Sequence, residues 1–125
     1  MAEDVASKGP DELVEAQGTP GLVRRTAFDG DGHWFGHVEA EPETMSGWHH
    51  HGDHTTVGYL LKGHIRVEYG PGGSLSAEVG EGEYFTVPPG VIHREGNPSA
   101  EAAEAIIVRF GDGPPVFPAD GPAPS

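Results

Sequence analysis

The chain has 125 residues, enough for one domain with a modest core and not for two. Seven Lys and Arg stand against 20 Asp and Glu, a formal charge of −13 at pH 7, which repels phosphate backbones and anionic lipid surfaces and argues against nucleic acid and membrane as partners. With no cysteine, disulfides, thiolate metal sites and a Cys nucleophile are all excluded.

Residues 1–21 are polar, with isolated apolar positions and only the stretch Asp11–Ala16 able to make a helical turn or two, so they are expected to form a loosely ordered arm. This start has no basic cluster followed by an apolar run, and no stretch approaches the roughly 18 apolar residues of a membrane span, so a soluble, cytoplasmic protein is expected.

From 22 to 110, short apolar runs alternate with Gly, Pro, Asp and Asn at the spacing of an all-β sandwich or barrel, with no amphipathic helix of ordinary length. The predicted strands are Val23–Phe28, His33–Ala40, Gly47–His51, Thr56–Leu61, His64–Tyr69, Leu75–Val79, Tyr84–Val87 and Ala105–Phe110. Between them lie turn sequences such as Asp29-Gly30-Asp31-Gly32, Lys62-Gly63 and Pro88-Pro89-Gly90. His64–Tyr69 alternates polar with apolar residues, the mark of a strand with one wet face. Thr56–Leu61 and Ala105–Val108 are apolar at nearly every position, so both faces should be covered, and a homodimer is the simplest way to cover the outer one. Residues 111–125 carry five prolines and cannot enter a central ladder; they read as a tail that adds little to the fold, free to lie across the barrel or a neighbouring subunit.

Eight histidines include the run Trp48-His49-His50-His51-Gly52-Asp53-His54, with His93 far beyond it. Residues two apart on a strand share a face, so His49 and His51 can aim at one interior point while His50 points away. His93, after the Pro88-Pro89-Gly90 turn, begins a further strand that can deliver a third imidazole. Three such nitrogens suit one divalent transition metal, Fe, Zn, Ni, Mn or Cu, and leave positions open for water or substrate. His54, in the loop beside the cluster, is an alternative ligand; His33, His37 and His64 have no such support and read as ordinary strand or surface residues.

The sequence here resembles the cupin superfamily, whose two motifs are G-x5-H-x-H-x3,4-E-x6-G and G-x5-P-x-G-x2-H-x3-N. The second is complete in GEYFTVPPGVIHREGN, with Gly82, Pro88, Gly90, His93 and Asn97 in register. The first is met at His49, His51 and Gly63, but Glu43 stands at the opening Gly and Thr56 at the metal-binding Glu. The resemblance implies a double-stranded β-helix, or jelly-roll barrel, a small single-domain protein spanning about residues 22–110, and a metal held by His49, His51 and His93. Thr56 would border the open coordination position, its hydroxyl suited to bond a bound water or substrate.

The function this implies is a metal-dependent enzyme of dioxygenase, isomerase or lyase type acting on a small organic molecule. The alternative is a non-catalytic barrel that senses or stores a small ligand or metal. Without a helix-turn-helix pattern, a DNA-bound sensor is not expected. Asp53 and His54 are the nearest general-base candidates, and no catalytic residue is assigned from sequence.

Overall fold

The computed structural model describes residues 4–114 and 116–123. Among these the secondary structure is twelve strands and two short 3-10 turns, Pro10–Glu12 and Pro71–Gly73. In chain order the strands are β1 (Val14–Thr19), β2 (Leu22–Gly30), β3 (His33–Ala40), β4 (Thr44–Met45), β5 (His49–His50), β6 (Thr55–Lys62), β7 (His64–Tyr69), β8 (Leu75–Gly80), β9 (Tyr84–Val87), β10 (Arg94–Asn97), β11 (Ala103–Phe110) and β12 (Phe117–Pro118). One sheet runs β1-β2-β3-β11-β6-β9 and the second β4-β10-β7-β8, antiparallel throughout, while β12 pairs with β5.

β11 is central to the larger sheet because both of its edges are paired, to β3 from Ala103↔Ala40 to Phe110↔His33 and to β6 from Glu104↔Lys62 to Phe110↔Thr55. Its alternate residues Ala103, Ala105, Ile107 and Arg109 are buried. With Leu22, Ala40, Leu60 and Val79 the first three form the apolar core between the sheets. The family's turn glycines are required by geometry. Gly63 has φ +88° and a Cβ there would lie 2.9 Å from Ala103 Cα, and Gly90 has φ +73°. Glu43, in place of the first motif's Gly, keeps the same left-handed conformation at φ 55°, so the turn survives at the cost of strain in a residue with a Cβ.

The buried Asn97 explains why the second motif ends on Asn. Its Nδ2 donates to Glu101 O at 2.6 Å, and its Oδ1 accepts from Ser99 N at 3.0 Å and Ser99 Oγ at 2.7 Å, tying the loop between β10 and β11 into one unit.

Both chain ends differ from expectation. The first 21 residues are not simply an arm, since β1 pairs with β2 (Val14↔Thr26, Glu15↔Arg25, Ala16↔Arg24), and Lys8 Nζ donates to Ala27 O at 2.7 Å. An edge strand needs only one partner and little apolar content, so hydrophobic patterning gave it no signal. The proline-rich tail is a strap. Phe117 pairs with His50 and Pro118 with His49, the Phe117 ring stacks on His50 at 4.9 Å, and Ala119 N donates to Trp48 O at 3.0 Å. Proline is excluded from central strands, but a two-residue edge pairing needs only a few backbone groups. Among the described residues no helix is long and apolar enough to cross a membrane.

Candidate metal centre

The predicted strand Gly47–His51 shortens to His49–His50, and its partner on the other side is a single bridge to His93. His49 N donates to His93 O at 2.9 Å and His93 N donates to His49 O at 2.8 Å. Two residues so paired project their side chains to the same face. Their rings accordingly meet with centroids 4.4 Å apart, and the His51 ring joins them at 5.0 Å from His49 and 5.1 Å from His93. All three side chains are buried, and each offers a ring nitrogen within 4.8 Å of the others.

The tautomers follow from the hydrogen bonds. His49 Nδ1 lies 2.9 Å from Gly47 O and His93 Nδ1 lies 2.9 Å from Val91 O. A carbonyl only accepts, so both Nδ1 atoms carry the proton and both Nε2 atoms present a lone pair. Among the described residues those Nε2 atoms are buried without a hydrogen-bond partner. An orphaned buried acceptor costs about 1–3 kcal/mol, and two converging on one point, backed by carbonyls that fix ring orientation, are what a divalent ion requires. The residues present fit a metal.

His50, as its position predicts, turns away to stack on Phe117. His54 is buried but lies outside the three-histidine group, its Nε2 donating to Gly113 O at 2.9 Å. His37 pairs with Glu104 at 3.0 Å and His64 with Glu78 at 2.6 Å, while His33 is exposed. Asp53 is exposed in its turn. Thr56 is buried, and its hydroxyl accepts from Arg109 Nε at 3.1 Å, across the Arg109↔Thr56 pair of β11 and β6.

Sequence reasoning missed three charged residues at this end of the barrel. Glu95 stands two residues beyond His93, with one carboxylate oxygen 3.5 Å from His93 Nε2 and the other 3.7 Å from His49 Nε2. The signal was present, since the alternation that pairs His49 with His51 also places Glu95 on the face of His93. The other two are Arg24, 4.0 Å from Glu95, and Arg109, both buried.

The charges act on one another. Burial lowers the pKa of His49, with Glu95 only partly offsetting it. Burial also opposes protonation of His93, but there the Glu95 carboxylate outweighs it and the pKa is raised. Burial would raise Glu95, yet His93, His49 and Arg24 together hold it far below the usual carboxylate range.

Antiparallel sheets around an inward-facing histidine triad, placed so that it could hold a metal ion, define a class of β-barrel proteins. The Cupin domain family model matches residues 36–109, more than half of the chain, and the chain belongs to the cupin family. No curated protein sequence matches it. The solved structures it resembles include the polyketide cyclase RemF from Streptomyces resistomycificus, 19% identical with a TM-score of 0.77, covering 93% of this chain and 86% of that one. A conserved protein with a double-stranded β-helix domain from Klebsiella pneumoniae is 15% identical with a TM-score of 0.73, over 93% of this chain and 98% of that one. These two likenesses show the fold, a double-stranded β-helix. An oxalate oxidase in complex with the substrate analogue glycolate is 25% identical with a TM-score of 0.59, over 69% of this chain and 45% of that one.

Proposed function

We propose that this cupin is a metal-dependent enzyme acting on a small organic molecule, with one divalent transition metal, Fe, Zn, Ni, Mn or Cu, held by His49, His51 and His93. The observation that carries this reading is the pair of buried, partnerless Nε2 lone pairs whose tautomers the backbone fixes. Such an ion supplies Lewis-acid or oxygen-activating chemistry when bound. Glu95, its carboxylate 3.5 Å from His93 Nε2 and 3.7 Å from His49 Nε2, stands beside the three-histidine group without belonging to it. His93 borders a cavity of about 310 Å³ lined also by Val67, Tyr69, Val79, Phe85 and Val87, room for a small molecule beside the centre.

The test is turnover. Protein loaded in turn with each of these metals is incubated with diketones, flavonoids, hydroxy acids and sugars, and consumption is followed by mass spectrometry. Conversion that stops when a chelator removes the metal supports the enzyme. Saturable binding without conversion across the panel contradicts it and leaves a ligand-binding or sensor barrel.

The chain also acts as a homodimer in this reading. Val57, Tyr59, Tyr84, Ile106 and Val108 make a contiguous outward apolar surface on β6, β9 and β11, with Tyr84 82% exposed. Sedimentation should show a dimer that Val57→Asp converts to monomer, whereas a monomeric parent contradicts the assignment.

A further inference from the structure

The barrel wall has a gap between β8 and β9. β8 is the outer strand of the smaller sheet and β9 the outer strand of the larger, and among the described residues no ladder joins them. A tight turn, in which Glu83 N donates to Gly80 O at 3.0 Å, links the two strands before they part into different sheets. Residues of both strands line the cavity of about 310 Å³ that His93 borders. We propose that this chamber, entered between β8 and β9, takes a neutral, largely apolar ring compound with one oxygen function, in preference to acids and sugars. The inference rests on the catalytic reading of the histidine centre and names the substrate class for it.

Strand alternation decides what lines the chamber. Ile65, Val67 and Tyr69 share one face of β7, and opposite them on β8 stand Val79, Ala77 and Leu75. Phe85 packs against the core from β9, and Val87, two residues on, is buried on the same face. Ala77 is the shortest side chain in these rows, and the valines reach less far than leucine or phenylalanine, so space remains where interiors are otherwise filled. Ala77 and Thr86 are exposed, whereas Val67, Val79, Val87 and His93 are buried. The chamber therefore opens to solvent between the two sheet edges and ends at His93.

The lining selects by chemistry. None of the residues bordering the chamber is Asp, Glu, Lys or Arg, so an ionised ligand would lose its hydration with nothing to replace it. The polar side chains are Tyr69, Thr86 and His93, and two of these are engaged. Thr86 Oγ1 donates to Thr56 O and His93 Nδ1 to Val91 O, both at 2.9 Å. The Tyr69 hydroxyl is left to meet one ligand oxygen. A sugar would bury several hydroxyls unpaired, each at a cost, whereas a ring compound with one oxygen needs one partner. Phe85 and Tyr69 add aromatic surface that suits contact with another ring. The volume is at the lower end of small-molecule sites, enough for about one or two fused rings.

The experiment titrates 2-naphthol, a neutral two-ring alcohol, and glucose, a neutral polyol, into the metal-loaded and the metal-stripped protein by calorimetry, with methyl-resolved NMR to locate the bound ring. 2-Naphthol should bind about tenfold or more tightly than glucose in both forms. Its protons should contact the methyls of Val67, Val79 and Val87, and not those of Val57 and Val108 on the outer face. Ala77→Phe fills the chamber from an exposed edge strand and should weaken 2-naphthol about tenfold while metal content stays at the parent level. Ser76→Phe, which adds the same ring to the opposite face of β8, should leave the affinity unchanged. Equal affinities for the two probes, contacts confined to the outer-face methyls, or parent-like 2-naphthol affinity in a folded Ala77→Phe protein would overturn the proposal. If Ala77→Phe does not fold, the methyl contacts in the parent decide. Failure of the catalytic reading is separate. 2-Naphthol in the chamber with no conversion of any compound in the panel contradicts the enzyme and leaves the chamber in place. Conversion of sugars or hydroxy acids without 2-naphthol binding contradicts the chamber and leaves the enzyme.

Discussion

The two ends of the barrel interior are built by the same strands and differ in every inward residue. At one end Leu22, Ala40, Leu60, Ala103, Ala105 and Ile107 pack side chain on side chain with no polar group among them. At the other, the inward positions become Arg24, Thr56 and Arg109, facing His49, His51, His93 and Glu95. The crossover falls within single strands, between Leu60 and Thr56 on β6 and between Ile107 and Arg109 on β11. Folding stability is thus concentrated at the apolar end. The polar end carries buried charge whose desolvation is offset by mutual pairing.

The largest effect expected from separating the two ends comes from Leu60→Ala. Leu60 is fully buried, so truncation should cost about 2–5 kcal/mol in urea unfolding, while metal stoichiometry remains that of the parent. Loss of metal in a folded Leu60→Ala protein would show that the ends are not independent. Next in size is Thr56→Val, which keeps the shape and removes the acceptor for Arg109. A hydrogen bond to a charged group is worth about 1.5–3 kcal/mol, and stability should fall within that range with metal content unchanged, because Thr56 lies outside the histidine group.

Deleting residues 112–125 tests whether the polar end needs its strap. Reading the sequence alone suggests no effect. The pairing of Phe117 and Pro118 with β5, and the Phe117 stack on His50, instead predict a loss of about 1–2 kcal/mol and faster metal loss to a chelator. Unfolding and chelation curves that superimpose on the parent's would return the tail to a passive role. The smallest effect is expected at Glu43→Gly, remote from either end's chemistry. Relief of the left-handed φ of 55° should raise stability by at most about 1 kcal/mol in thermal melts, and destabilisation would show that the Glu43 side chain contributes more than its strain costs.

Much of this division was legible in the sequence. Turn chemistry and short apolar runs located the main strands of both sheets, because positive-φ glycines and strand alternation are local properties. The triad was legible for the same reason, since His-x-His shares a face and His93 follows a rigid turn. Glu95 was equally local, but the family pattern drew attention to position 56 and away from a carboxylate two residues past His93. Arg24 and Arg109 were not legible: long basic side chains usually sit on the surface, and only the pairing of β11 with β3 and β6 shows that Arg109 continues the core row inward. Strap β12 depends on a distant partner, which no local pattern discloses, whereas edge strand β1 forms a hairpin with the adjacent β2 that its polar composition concealed.

The central claim, that the polar end is organised around one ion on three imidazoles, is tested most directly by metal stoichiometry from elemental analysis after equilibration with a divalent metal and gel filtration. The parent and His50→Ala should each retain one ion per chain, because the His50 ring faces Phe117 and not the cluster, while His49→Ala, His51→Ala and His93→Ala should each lose most of it. Equal loss in His50→Ala and His51→Ala, or full retention in all three cluster variants, would contradict the account.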